Sequence, residues 1–502
     1  MANTFLNTMK SFDNYKYTEN GAVSYKSTLN SVMDMFALGG AYRKRDEGDV
    51  WMLFRKAWKE NRDLAMKCLF YLRDCRGGQG ERRFFRVIMN HMMNGGDEYR
   101  QAVSAVIGFI PEFGRWDDLI YSAFDTPYWG AAMEIVKNQL GKDLKGLTRE
   151  NEGISLLGKW LPSENASSHT TTAMGGAVRA YLGLSHKQYR KVLSHLRERI
   201  NVLERLMSAQ KWDDIHFDTI PSKAGLKYRN AFAHNEFLAA RYEAFMKSKE
   251  TKVNAGVLNP VDIAHQIFAA SWHGADQTAR NAWQKYWDNL PDYYNGRQEN
   301  GICVVDVSGS MSGTPMEAAV SLGAYIADKA EGPFKGHFIT FSSDPHLVEF
   351  EGVDIYDKFQ RARRADWGGS TNIEATMDLI LATTMKAHCK MPDRLYIFTD
   401  MEFNSACGYY GYGYGSRQRD WSTPETLFEK IERKYRAHGY KMPQVVFWNL
   451  DARQDTIPAI GGNYSYVSGF NPNMIECILS GKTGWDLCLE KLLSERYKAI
   501  HA

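Results

Sequence analysis

An uninterrupted apolar run, Ile302-Cys303-Val304-Val305, ends on Asp306-Val307-Ser308-Gly309-Ser310-Met311-Ser312. This D-x-S-x-S spacing puts one carboxylate and two hydroxyls at alternate positions of a tight turn, so that all three oxygens can face one centre. Two later loops carry matching donors, Gly368-Gly369-Ser370-Thr371-Asn372 and Thr399-Asp400-Met401-Glu402. Two carboxylates, several hydroxyls and no His or Cys make a hard-oxygen set suited to Mg²⁺ or Mn²⁺, with water or a partner's carboxylate in the remaining positions. The plain alternative is a serine-rich turn capped by Asp306.

The surrounding sequence supplies elements that would bring these loops together. Ile302–Val307, His337–Phe341, Leu395–Thr399 and Val445–Trp448 are short runs rich in β-branched and aromatic residues, and helical patterns lie between them at Pro315–Ala330, Asn372–Ala387 and Pro424–Arg436. Strands apolar on both faces, alternating with helices, predict a doubly wound α/β domain over residues 301–502, closed by a terminal helix from Trp485 to Ile500. In such a sheet ligands sit outside the carboxyl ends of the strands, where Asp306 and Asp400 both fall.

With Asp306, Ser308, Ser310, Thr371 and Asp400 in this order, the segment resembles a von Willebrand factor A domain with its metal-ion-dependent adhesion site. The resemblance covers about residues 300–500 and implies a divalent cation, Mg²⁺ or Mn²⁺, held by those five side chains.

The preceding part of the chain has another texture. Apolar residues recur at helical spacing from about residue 30 to 287, as in Val50–Trp58, Leu64–Leu72 and Tyr189–Met207, with few alternating patterns. We expect an all-α region over 1–288, built of stacked, HEAT-like helix pairs, and a linker at the polar, Pro- and Gly-containing stretch 289–300. The net charge of +3 conceals an asymmetry: residues 1–300 hold 41 basic and 34 acidic side chains, whereas the remainder holds 21 and 25. Any polyanion would therefore meet the helical half.

Three basic segments there are candidate RNA contacts. In Arg73-Asp74-Cys75-Arg76-Gly77-Gly78-Gln79-Gly80-Glu81-Arg82-Arg83 a glycine-rich turn has Arg73, Arg76, Arg82 and Arg83 around it, so backbone N–H groups and guanidinium forks could hold a phosphate; equally, the glycines could make a sharp interhelical turn with Asp74 and Glu81 paired to arginines. His186–Lys191 offers Lys187, Arg190 and Lys191 beside Tyr189, and Lys223–Arg229 offers Lys223, Lys227 and Arg229 beside Tyr228. Bases interleaved with aromatics suit single-stranded RNA, although helical surfaces carry such runs routinely.

Together with Phe113-Gly114-Arg115-Trp116-Asp117-Asp118-Leu119, Lys159–Asn165 and Pro221–Ala224, these segments resemble a phage, plant and fungal family of unknown function. In domain order that family is similar to the TROVE proteins of the Ro autoantigen type, a ring of helical repeats closed by an A domain. The resemblance implies ring closure, single-stranded RNA ends in a basic ring and structured small RNAs, of the Y-RNA kind, on its outside.

Ala406–Arg419 is a Tyr/Gly tract, and Tyr409, Tyr410, Tyr412 and Tyr414 are candidates for a partner protein or stacked bases; an insertion without consequence is the other reading. Gly481-Lys482-Thr483 lacks the earlier glycine of a phosphate-binding loop, since Glu476 stands there, and no hydrolase or zinc-protease motif is present. A 44% apolar, 13% aromatic composition excludes a disordered chain, the absence of a long apolar run predicts no membrane span, and seven scattered cysteines fit a reducing compartment. The expectation is a cytoplasmic, non-enzymatic RNA-binding protein with a metal-bearing A domain, or else a metal-dependent interaction scaffold in a phage or chaperone-like assembly.

Overall fold

The computed structural model describes residues 13–149, 153–270, 274–341, 345–364, 372–404 and 425–502. The chain forms two compact units, one of residues 1–46 with 258–494 and the other of residues 47–257 with 495–502. This division departs from the expected boundaries of 1–288, 289–300 and 301–502, and each departure has a packing reason.

The first unit is built on a six-stranded sheet of β3 (Gly301–Asp306), β4 (His337–Phe341), β5 (His346–Glu349), β6 (Arg394–Thr399), β7 (Gln444–Asn449) and β8 (Tyr464–Ser468). The strand order is β5-β4-β3-β6-β7-β8. All neighbours are parallel except the edge strand β5, which runs antiparallel to β4. The order reverses direction between β3 and β6, and a crevice opens at the carboxyl end of the sheet where such a switch occurs. Every residue of β3 and of β8 is buried, as layers on both faces require. The helix Thr314–Lys329 packs on β3, β4 and β6, and the helix Pro260–Ala270 packs on that helix in turn.

Residues 258–300 therefore belong to the sheet unit. The stretch expected to be a linker is fastened to it: Tyr294 is fully buried, Leu290 and Glu299 nearly so, and the Tyr325 hydroxyl donates to the Pro291 carbonyl at 2.5 Å. Turn residues correctly marked an irregular segment, but its large apolar side chains pack as core. The chain's beginning joins the same unit through an antiparallel hairpin, β1 (Tyr15–Tyr17) and β2 (Val23–Tyr25), turned at Gly21 with φ +85°. Tyr25 exchanges backbone hydrogen bonds with Ile457 at 2.8 and 3.0 Å.

In the helical unit successive helices pack as neighbours, as in Glu47–Glu60 on Arg62–Arg73, and Ser222–His234 on Ala239–Lys247. The expected terminal helix ends at Leu492, and the following segment docks onto the helical unit instead. There Tyr497 lies stacked on Phe113 at 5.7 Å and edge-on to Tyr71, Arg496 pairs with the fully buried Asp74, and the buried Lys67 ammonium donates to the Tyr497 and Ile500 carbonyls. Among the described residues no helix is long and apolar enough to cross a membrane.

Candidate functional site

β3 delivers Asp306 to the sheet edge, and Val307 and Met311, both buried, pin the turn that follows. Asp306 is fully buried; Oδ1 accepts from the Ser308 N–H at 2.9 Å and Oδ2 from the Thr399 hydroxyl at 2.6 Å. The Ser308 and Ser310 hydroxyls lie 3.0 Å apart. Thus the alternation of D-x-S-x-S does bring its three oxygens to one place.

β6 delivers Asp400 to the same edge, also fully buried, with Ser310 in hydrogen-bonding reach. Asp400 Oδ1 accepts from the Glu402 N–H at 3.1 Å, and Met401 between them adopts a left-handed φ of +69°, a strained conformation for a bulky side chain. Burial, and then the negative charge of Asp400, push the Asp306 carboxyl up to about 7. Burial also raises Asp400, against the opposing pull of Ser310, the Glu402 amide and the Arg453 guanidinium. Among the described residues no cation pairs with Asp306, whereas Arg453 Nη2 sits 3.2 Å from Asp400 Oδ2 and 2.7 Å from a Glu19 carboxylate oxygen.

Thr399 and Arg453 complete the site and were not singled out as site residues. A threonine before Asp400 was visible as an oxygen donor; Arg453, in the loop after β7, carries no spacing signal because its proximity is purely spatial. Glu402 points away from the centre. Its carboxylate accepts from Thr456 and from the Glu19 N–H, both at 2.7 Å, while Thr18 donates to the Phe403 carbonyl at 2.7 Å. The β1–β2 hairpin is thereby fastened beside the site. Thr371 and the tyrosines 409, 410, 412 and 414 lie outside the described residues.

The donor set fits a hard divalent cation: two buried carboxylates, of which, among the described residues, Asp400 alone has a cationic partner, and two serine hydroxyls converging from one turn. Among the described residues no three His, Cys, Asp or Glu side chains gather at one point, so hydroxyls and water would complete any coordination shell.

The basic candidates separate into buried and exposed. Arg73 is only 3% exposed and binds Asp118 through Nε and Nη2 at 2.9 and 2.5 Å, so it is a core ion pair and no surface contact for RNA. The glycine-rich turn is a sharp interhelical turn. Its amides at Arg76, Gln79, Gly80 and Glu81 are taken by the Asp74 carboxylate and by the Tyr71, Asp74 and Leu72 carbonyls, and a Cβ on Gly78 would lie 1.8 Å from the Tyr71 oxygen. Those four amides are thereby spent within the turn and are not free to cradle a phosphate. Arg76 is exposed and donates to the Glu112 carbonyl at 2.7 Å; Arg82 and Arg83 are exposed. Lys187, Arg190 and Lys191 lie exposed on the helix His186–Arg199, at positions three and four apart. Lys223 and Lys227 are exposed and Arg229 is half-buried; Lys227 lies over the Tyr228 ring at 4.7 Å.

Comparison with known proteins finds two domains of unknown function in this chain, DUF7788 at residues 300–495 and DUF2828 at residues 18–94 and 131–292. An uncharacterized protein of Acanthamoeba polyphaga mimivirus is 32% identical over 510 residues, covering 93% of this chain and 85% of the viral one.

Proposed function

The chain belongs to the family of this mimivirus protein, and from that premise we propose that it is a non-enzymatic RNA-binding protein whose sheet unit is an A domain with a Mg²⁺ or Mn²⁺ site. The observation that carries the reading is the buried pair of Asp306 and Asp400 at the switch point, facing two hydroxyls, with Arg453 as their one counter-ion among the described residues. Two carboxylates so placed repel each other unless a cation lies between them. Asp306, Ser308, Ser310 and Asp400, with Thr371, would hold the ion, which when bound supplies an open coordination position for a partner's carboxylate. This chain's own residues prepare the place: Thr399 orients Asp306, Arg453 neutralises part of Asp400, and the β1–β2 hairpin holds Arg453 through Glu19.

In this reading the helical unit is a HEAT-like array, ring-closed as in the TROVE architecture, that meets small or single-stranded RNA. Its support is electrostatic: Lys187, Arg190 and Lys191 share one exposed helix face and have no ion-pair partner among the described residues. Phosphate contacts of this kind release counterions, so binding weakens steeply with salt. The test is filter binding of a single-stranded oligoribonucleotide at 50–200 mM salt, by the wild type and by the triple variant Lys187→Glu, Arg190→Glu, Lys191→Glu. Wild-type binding that falls with salt and is lost in the variant supports the reading. Absence of wild-type binding at low salt removes the RNA role and leaves the metal-dependent scaffold.

A further inference from the structure

Near the glycine-rich turn, four arginines of the helical unit gather about two aspartates. Asp118 is fully buried and saturated: Oδ2 accepts from Arg73 Nε and Nη2 and from the Arg115 N–H, and Oδ1 accepts from Arg86 Nε at 2.7 Å. Asp117 is saturated too, holding Arg115 through both oxygens at 3.0 and 2.8 Å, with Arg86 Nη2 at 2.8 Å. That last contact is an ion pair without hydrogen-bond alignment, so Arg86 Nη2 keeps a buried, undirected proton.

Arg82 is left over. No carboxylate among the described residues pairs with it, and the charged groups that act on it are Arg115 and Arg86, which repel, ahead of Asp117 and Asp118, which attract. Arg115 and Arg86 are held together here by Asp117, which both meet, and by packing: Arg115 lies on the Trp160 ring at 3.8 Å and Arg86 on the Tyr121 ring at 4.3 Å. Trp160 also lines a cavity of about 590 Å³ together with Lys159 and Arg190, so the arginine cluster adjoins a basic hollow.

We propose that Arg82, Arg86 and Arg115 form a binding site for a phosphate group. A tetrahedral oxyanion has the charge and the several acceptors that three neighbouring guanidinium groups require, Arg82 standing one helical turn before Arg86, and Arg86 and Arg115, fixed on aromatic faces, lose little freedom on binding it. The site rests on the RNA-binding reading only for the source of the phosphate, which is an RNA backbone or a small free phosphate. It replaces the glycine-rich turn as the anion-binding part of this segment, because the Arg82 guanidinium remains unpaired among the described residues while the amides of Arg76, Gln79, Gly80 and Glu81 are bonded within the turn.

The test uses the full chain with inorganic phosphate and, separately, with a short oligouridylate, followed by calorimetric titration and by the melting temperature. Wild type should bind phosphate and melt higher in its presence. Arg82→Ala should lower phosphate affinity about tenfold or more, the effect of losing a charge-assisted contact. Because Arg82 has no ion-pair partner among the described residues, the variant should melt no lower than wild type without anion, and Arg82→Lys should restore part of the affinity. If oligouridylate binding falls with Arg82→Ala as well, the phosphate is that of RNA. If only phosphate binding falls, the site takes a small ligand and RNA binds elsewhere. Wild-type failure to bind phosphate at millimolar concentration, or equal affinity in Arg82→Ala, overturns the site, and neither result bears on RNA binding by the helix face at Lys187.

Discussion

Replacing Asp306 by Asn should make the metal-free protein more stable at alkaline pH and less responsive to Mg²⁺. Burial and the charge of Asp400 raise the Asp306 carboxyl from its usual 3.8 to about 7. At 1.36 kcal/mol per unit, ionising it inside the fold costs about 4 kcal/mol. The raised value means that the unfolded chain releases this proton more readily than the folded one. The cost is therefore absent below about pH 4, grows between pH 4 and 7, and is complete above pH 7. Asn keeps an acceptor for the Ser308 N–H but changes the bond to Thr399, a loss of about 1 kcal/mol. The net gain is roughly 3 kcal/mol, or about 5–10 °C in the melting of the sheet unit. The assay is thermal unfolding in EDTA at pH 5 and pH 8, then at pH 8 with millimolar Mg²⁺. In EDTA the variant's advantage should be small at pH 5 and large at pH 8. Mg²⁺ should stabilise wild type alone, because only a state that binds is stabilised, and so shrink or reverse the difference. A variant less stable than wild type in EDTA at pH 8, or an advantage independent of pH, would refute the reasoning.

Arg453→Met removes the positive charge beside Asp400, and Mg²⁺ should then bind roughly tenfold tighter or better, as calorimetry will read; unchanged affinity would mean that Arg453 does not share the site with the ion. Ending the chain after Ser494 strips Arg496 and Tyr497 from Asp74 and leaves a buried carboxylate without its partner. Urea unfolding of the helical unit should show a loss of about 3–5 kcal/mol. Gly78→Ala should prevent correct folding of the same unit, seen as loss of soluble protein, since its Cβ would collide with the Tyr71 carbonyl at 1.8 Å.

The parallel strands β3, β4, β6 and β7 were legible as continuous apolar runs and fall within a residue of the expected spans, whereas the parallel strand β8, fully buried but alternating Tyr and Ser, gave no such run and was not. Asp306, Ser308, Ser310 and Asp400 followed from their place at strand ends. The hairpin β1–β2 was not legible, since three-residue strands leave no periodicity. The helices Pro260–Ala270 and Gln277–Asp288 were recognisable as helices, but an amphipathic face looks the same whether it covers other helices or a sheet unit. The stretch 289–300 misled for a related reason: Pro291 and Gly296 mark a turn, while the burial of Tyr294 depends on neighbours distant in sequence. Arg73 read as a surface cation because its partner Asp118 lies 45 residues away. Ion pairing across the fold, rather than local composition, decides which arginines remain exposed.

The most direct test of the central claim is the number of Mn²⁺ ions bound by the purified chain, read by electron paramagnetic resonance of free and bound ion. The wild type should bind one ion per chain with the oxygen-ligand signature of a hard site, and the double variant Asp306→Ala, Ser308→Ala should bind none. Wild type that binds no Mn²⁺ at millimolar concentration, or a double variant that binds as well as wild type, would contradict a cation site at the end of β3.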